Sequence, residues 1–391
     1  MRVAFHAPMK APDHPVASGD RLVARNLVEA LARAGHEVQL VSRFRSYDRG
    51  DPARQQKLAR LGAKLARRLV RRLDQPGLRP DLWFTYHLYH KAPDHLGPAV
   101  SAALDIPYVV AEASVAGKQQ GGPFDRGYRD SVAALTHADL VLTLNPNDAA
   151  GVRPHLRPGV PMVALAPFVD GAPIRAARLG RDAERMRLAD QHGLDPRRPW
   201  LVTAAMMRAD QKLSSYLILA EALALLPQSS FHVLIAGAGP AESDVRALFA
   251  ERSVAATFLG EVEAIAMPAL LSAADLFVWP AVKEAFGMAL VEAQAAGLPV
   301  VAGHSPGVAG VVEDGVTGSL VPQADPQAFA AAVEALLDPA RRRQFGAAAR
   351  QRAEAQHDVG SAARILDTAL GETLRRFRAA RQITRTIEKV G

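Results

Sequence analysis

The chain has 391 residues, 49% of them hydrophobic and 22% charged, which suits an ordinary soluble protein of two domains, each able to bury its own core. It contains no cysteine, so disulfides, thiol catalysis and cysteine-held metals are excluded, in keeping with a reducing cytoplasm. A net charge of +7 calls for an anionic partner, but with 6% aromatics, no zinc-finger spacing and no aromatic-studded basic strand that partner is not expected to be a nucleic acid.

The chain opens MRVAFHAPMK, one short strand (Arg2 to Ala7) followed by prolines, which lacks the apolar core of a signal peptide. No run of about 18 apolar residues follows anywhere. Ser18-Gly19-Asp20 then leads into an amphipathic helix carrying Leu22, Val23, Leu27 and Leu31, Gly35 stops it, and Val38 to Val41 is the next strand. Strand, helix and strand within about forty residues make a βαβ unit with parallel strands. The loop holding Gly19 is not a G-x-G-x-x-G turn, which disfavours a dinucleotide-binding site there.

Pro52 to Leu73 reads PARQQKLARLGAKLARRLVRRL. Leu58, Leu61, Leu65, Leu69 and Leu73 form one apolar stripe, and eight Lys and Arg with no acid fill the rest. A solvated helix packed on its domain is the plain expectation; peripheral contact with an anionic membrane through 52–73 is the functional one.

Asp81 to Tyr86 is a strand ending in a polar cluster of His87, Tyr89, His90 and Lys91, and Ile106 to Ala111 is a strand followed by Glu112, Ser114 and a glycine-rich loop. Parallel sheets bind ligands at the carboxyl ends of their strands, so His87 and Glu112 are candidates for chemistry, weighed evenly against structural roles. Ala138 to Leu144 and Met162 to Leu165 complete the first set of strands, and a change to prolines, glycines and arginines sets a domain boundary near residue 170. The expected domains are 1–170 and 171–391, with the last helix, about 361–391, crossing back to the first.

The second set comprises strand Trp200 to Ala205, helix Leu213 to Leu226, strand His232 to Ala236, the turn Gly237-Ala238-Gly239-Pro240, helix Glu242 to Glu251 and strand Ala256 to Leu259, followed by Gly260. The most informative stretch is Ala274 to Val301, strand, linker, helix, glycine stop and strand, with Glu284 before the helix and Glu292 within it. Gly287 leaves room for a ligand at the first turn, where unpaired N–H groups favour an anion. Were the linker helical, the two acids would stand roughly 12 Å apart. That exceeds the spacing of a paired-carboxylate hydrolase site, about 5–9.5 Å. Arg208 and Lys212 follow the first strand of this domain and form a cationic pair suited to a leaving diphosphate.

Taken in order, Arg208 and Lys212, GAGP, TFLGEV, ADLFVWP, Glu284-Ala-Phe-Gly-Met to Glu292 and Ala296-Gly297-Leu298-Pro299-Val300-Val301 resemble the second domain of family 4 glycosyltransferases of the group 1 type. The resemblance runs from about Trp200 to Asp338 and is looser in the first domain, where Ser18-Gly19, AGHEVQLVS and ADLVLTL carry it. It implies an α/β fold of two doubly wound Rossmann-like domains facing a cleft (GT-B), and a retaining, metal-independent transfer of sugar from a nucleotide sugar to a glycan, lipid-linked or small-molecule acceptor, without a cofactor. Glu284 would contact the donor sugar, the backbone of Phe286, Gly287 and Met288 the sugar and diphosphate, and Glu292 the ribose. Arg208 and Lys212 would hold the diphosphate, Gly239 would line its seat, Val262 would frame the base, and Gly19 would approach the phosphates from the first domain. Where the family often has a histidine after a first-domain strand, this chain reads Glu112-Ala113-Ser114. A nucleotide-sugar epimerase and a binding protein without transfer activity are the alternative readings of the same residues.

Overall fold

Twelve strands and fifteen α-helices alternate along the described residues of the computed structural model, which are 1–16, 18–284 and 287–390, the last seven in backbone only. Two compact units result. One comprises Met1–Ala166 with Val359–Gly391, the other Pro167–Asp358.

In the first unit β1 (Arg2–His6), α1 (Gly19–Arg33), β2 (Glu37–Ser42), α2 (Pro52–Leu73), β3 (Leu82–Tyr89), α3 (Gly97–Leu104), β4 (Tyr108–Ser114), α4 (Asp125–His137), β5 (Leu140–Thr143), α5 (Asp148–Val152) and β6 (Met162–Ala164) follow one another. All neighbouring strands are parallel, in the order β2-β1-β3-β4-β5-β6. The central strands are apolar on both faces, as Val3, Phe5, Phe84, Val109 and Val141 show by having no exposed surface. The direction of strand addition reverses between β1 and β3, which makes their carboxyl ends the ligand-binding crevice of an open α/β sheet.

The second unit runs α6 (Gly171–Leu179), α7 (Arg181–His192), β7 (Trp200–Ala204), α8 (Gln211–Ala224), β8 (His232–Ala236), α9 (Glu242–Glu251), β9 (Ala256–Gly260), α10 (Met267–Ala273), β10 (Leu276–Trp279), α11 (Met288–Ala295), β11 (Val300–Gly303), α12 (Pro306–Ala309), β12 (Gly318–Val321), α13 (Pro326–Leu336) and α14 (Pro339–Gln356). Its parallel sheet has the order β12-β11-β10-β7-β8-β9. Numbered from β7, this is the 3-2-1-4-5-6 order of the Rossmann fold, with its reversal between β7 and β10.

The last helix, α15 (Val359–Val390), belongs to the first unit, where it packs against α1 and buries Ala362, Leu366, Ala369 and Leu370. Asp325 and Asp338 cap α13 and α14 by accepting from Ala328 and Arg341 N–H, which accounts for the break in the helical pattern at Asp338-Pro339.

Three expectations are corrected. β3 and β4 do not stop at Tyr86 and Ala111 but continue through His87 to Tyr89 and through Glu112 to Ser114. Arg175 to Arg187, expected from its sequence as a linker and connecting helix, falls in two helices, α6 and α7, and α3 and α4 arise where no element was expected. The apolar stripe of α2 is shifted: Gln55, Gly62, Ala66, Leu69 and Leu73 are buried, whereas Leu61 is 44% exposed. Gly62 explains the shift, since a Cβ there would lie 2.4 Å from His95 Cβ, so the helix approaches its neighbour most closely on the glycine side.

Candidate active site

The carboxyl edge of the second sheet is built around one ion pair. The chain leaving β7 turns back through Arg208 to the start of α8, where Asp210 caps the helix by accepting from Lys212 N–H at 2.9 Å. Arg208 pairs with the same aspartate, Nε to Oδ2 at 3.1 Å. Lys212 instead reaches across the point of strand reversal to Glu284, Nζ to Oε2 at 2.5 Å, with each side chain about a fifth exposed. Its ammonium also lies 5.3 Å from the centre of the Trp279 ring at the end of β10.

Glu284 is held by residues that sequence reasoning did not single out. The segment after β10 turns through left-handed Ala281 (φ 54°) and Lys283 (φ 52°), and Val282 N–H donates to Ser215 Oγ at 3.0 Å. Glu284 N–H donates to Ala281 C=O, and Ser305 Oγ donates to the Glu284 carbonyl at 3.3 Å. From Pro280 to Glu284 the linker is therefore a pinned turn and not a helix, so the 12 Å helical spacing of the two acids does not apply. The signal for Ser215 and Ser305 is slight: Ser215 is a small hydroxyl residue near the start of the expected helix Leu213 to Leu226, and no element was expected at Ser305.

α11 begins at Met288 with left-handed Gly287 (φ 66°) as its N-cap, which has no side chain to bond the free N–H groups. Phe286 lies outside the described residues. Glu292 sits in the second turn of α11. It retains some solvent-exposed surface, but its carboxyl is deeply desolvated and faces no compensating charge, and its pKa is pushed up to about 7. Gly237 and Gly239 are required by the fold itself. Added Cβ atoms would meet Ala205 O at 1.9 Å and Met207 O at 2.2 Å, because the loop after β8 lies against the loop after β7. Val262 follows β9 and packs on the core half-buried.

At the carboxyl edge of the first sheet a second cluster lies on β3 and β4. Tyr86 pairs with Ala111 and Leu88 with Ala113, so His87 and Glu112 share the intervening position of neighbouring strands. Both are left-handed, at φ 66° and 59°. Two such residues cost about 1–3 kcal/mol each, held by regular pairing on either side. His87 Nδ1 lies 3.1 Å from Oδ1 of Asp20, in the first turn of α1, without hydrogen-bond geometry. Burial would lower the His87 pKa, but the charges of Glu112 and Asp20 outweigh it and hold it above the ordinary imidazole value. Desolvation raises the pKa of the buried Glu112, partly offset by His87 and by a hydrogen bond with Tyr86, and Glu112 Oε2 has no hydrogen-bond partner. Asp148, which opens α5, is raised by desolvation and bonds Ser114.

Asp20 and Asp148 are thus additions to the candidate pair His87 and Glu112. Their signal lay in position, an acid just after Ser18-Gly19 and an acid just after the strand Leu140–Thr143. Gly19 opens α1, and a Cβ there would meet nothing within 4 Å, so it leaves open space beside Asp20.

Residues 193–352 match the family profile described as glycosyl transferases group 1. A D-inositol 3-phosphate glycosyltransferase of Pseudarthrobacter chlorophenolicus is 36% identical over 181 residues, 44% of this chain and 42% of that protein. An alpha-D-kanosaminyltransferase of Streptomyces kanamyceticus is 32% identical over 161 residues, 40% of this chain and 41% of that protein. These alignments therefore span about two fifths of the curated relatives' length. In fold, Anabaena HepE, solved with UDP, superposes with a TM-score of 0.72 at 18% identity, covering 95% of this chain and 100% of that one. The sucrose-phosphate synthase of Thermosynechococcus elongatus gives 0.70 at 22%, covering 97% and 99%. The two doubly wound units are the α/β architecture of the GT-B glycosyltransferases. Lys212, Glu284 and Glu292 all lie inside the residues that match the group 1 glycosyl transferase profile, so the likeness to that family is carried by the second unit.

Proposed function

We propose that the protein is a glycosyltransferase that moves a sugar from a nucleotide diphosphate donor to an acceptor, retaining the anomeric configuration and using no metal. The observation that carries the proposal is the Lys212–Glu284 pair at the strand reversal of the second sheet, with Glu292 one helix further on. As the bond from the anomeric carbon to the diphosphate breaks, negative charge grows on the departing phosphate, and Lys212 and Arg208 are the cations at that edge. Glu284 would read the sugar hydroxyls and Glu292 the ribose, with Gly287 and Met288 presenting the first N–H groups of α11 to the diphosphate. Binding exchanges the Lys212–Glu284 contact for ligand contacts, so neither charge is left buried and unpaired. UDP in the Anabaena neighbour supports a nucleoside diphosphate as the leaving group.

The first unit would take the acceptor, a glycan, a lipid-linked sugar or a small molecule, at the edge where His87, Glu112, Asp20 and Asp148 converge. One curated relative is named for inositol 3-phosphate and the other only for the kanosaminyl group, which leaves the acceptor class open, so the proposal stops at a hydroxyl-bearing acceptor. No helix among the described residues is long and apolar enough to cross a membrane. A cytoplasmic location with peripheral contact at an anionic inner membrane face, through Pro52–Leu73, completes the reading.

Titration calorimetry with a panel of nucleotide sugars tests it. Glu292→Ala is expected to lose about 1.5–3 kcal/mol, roughly ten- to a hundredfold in affinity. Lys212→Ala should weaken binding of the diphosphate and leave that of the bare nucleoside unchanged. Undiminished affinity in both proteins would sink the assignment. Product analysis without acceptor separates transfer from epimerisation, which would convert the donor sugar unaided.

A further inference from the structure

The amino edge of the first sheet carries a cavity that no step of the proposed reaction uses. The segments entering β3 and β4 lie side by side there, Arg79-Pro80-Asp81 before Leu82 and Asp105-Ile106-Pro107 before Tyr108, and the second half of α15 crosses them. Leu374, Phe377, Arg378 and Arg381, spaced three or four apart, form the helix face turned to this edge. The first half of α15 packs its apolar residues on α1, but the second half leaves a cavity of about 380 Å3 beneath it, with Leu374 and Phe377 only half-buried. The helix is held over this gap by charge. Arg381 pairs with Asp105 and lies over Phe377, its guanidinium 5.6 Å from the ring centre. Arg378 stands 3.8 Å from Asp81, too far for a hydrogen bond, and makes none among the described residues, so its donors are unspent. Asp81 accepts instead from the Arg2 N–H at 2.7 Å. Arg79, bonded to Asp74 and to the Leu104 carbonyl, adds a third positive charge to the lining.

We propose that this cavity binds a small aromatic phosphate monoester, its phosphate between Arg378 and Arg381 and its ring against Phe377, Pro80 and Pro107. Three guanidiniums against two carboxylates leave the lining net positive, which selects an anion. Arg378 and Arg381 stand three residues apart on one helix face and are therefore neighbours, able to close on one group together. A carboxylate has two oxygens and is filled by a single guanidinium fork, whereas the three oxygens of a phosphate serve both arginines. The ring of Phe377 and the flat faces of the two prolines take a planar body, and the volume falls at the small end of ligand pockets, about 300–1,000 Å3. The cavity lies at the opposite ends of the strands that carry His87 and Glu112, roughly 20 Å from His87 along β3. Its occupant therefore takes no part in transfer, and the inference is independent of the transferase reading. Bridging helix and sheet, the occupant fixes the second half of α15 in place.

The experiment titrates the full chain with phenyl phosphate by calorimetry and follows hydrogen exchange in residues 374–382. Saturable binding is expected, about tenfold tighter than that of inorganic phosphate or benzoate, with slower exchange in that stretch of α15. Arg378→Gln, an exposed change to another good helix former, should weaken binding about tenfold. Asp81→Asn should strengthen it about threefold, because it removes a competing charge from Arg378 and keeps an oxygen for the Arg2 N–H. Lys212→Ala should leave it unchanged. Loss of binding in Lys212→Ala places the phosphate at the donor edge of the second unit and overturns the proposal. Absence of saturable binding or undiminished binding by Arg378→Gln also overturns it, as does weaker binding by Asp81→Asn, the sign of a purely structural ion pair. Benzoate binding as tightly as phenyl phosphate overturns the phosphate assignment, and inorganic phosphate doing so overturns the ring contact.

Discussion

On the proposed reading, the contact between Lys212 and Glu284 would serve first the unliganded fold and then the ligand. Each is about one fifth exposed, so the pair is neither a fully screened surface bridge nor a buried one, and its exchange for phosphate and sugar contacts is not costly. Glu292 differs, its carboxyl being desolvated with no opposite charge facing it. With its pKa raised from 4.5 to about 7 in the folded protein, the folded state binds more protons than the unfolded state between those values. Stability of the unliganded protein is therefore expected to fall as pH rises from about 5 to 7, and Glu292→Gln should flatten that part of the curve, as measured by chemical denaturation. If the ribose hydroxyls donate to the carboxylate, only the ionised form binds well. Affinity should then improve about tenfold between pH 6 and 8, with proton release that calorimetry in two buffers detects, and a pH-independent Kd would remove Glu292 from the ribose contact.

At the scale of elements, function rests on turns and strand ends more than on helices. Gly287 caps α11 in the left-handed region, and a Cβ there would come within 2.7 Å of Leu290 Cδ1. Gly287→Ala is expected to destabilise the second unit by about 1–2 kcal/mol, and Gly237→Ala by more, because its obstacle is the Ala205 carbonyl and not a flexible side chain. Thermal unfolding checks both, and equal shifts would contradict the backbone argument. The periodicity of α1 and α2 was legible because each has a polar face and a capped start, at Ser18 and Asp51. The ends of β3 and β4 were not, because nothing local to His87 or Glu112 signals a left-handed residue inside a strand. Only the pairing of Tyr86 with Ala111 and Leu88 with Ala113 imposes it.

At the scale of the whole molecule, the chain leaves its first unit at Ala166 and returns to it at Val359. Since α15 covers α1 with Ala362, Leu366, Ala369 and Leu370, a protein ending at Asp358 should lose hydrogen-exchange protection in α1 and β2 while β7, β8 and β10 keep theirs. Loss spread evenly over both sheets would argue against separate cores. What the sequence determined by itself was the repeated strand and helix pattern, the absence of thiol chemistry, and the ordered series of motifs from Arg208 to Glu292 that falls inside the matched profile. These are local: periodicity, composition and motif spacing act within a few turns of chain. Tertiary structure alone decided that Lys212 meets Glu284 across 72 positions, that Asp20 and Asp148 join His87 and Glu112, and that Asp81 and Asp105 meet the arginines of α15. Each of these depends on which strands become neighbours, and strand order follows from the burial of whole faces, a balance no short stretch of sequence contains.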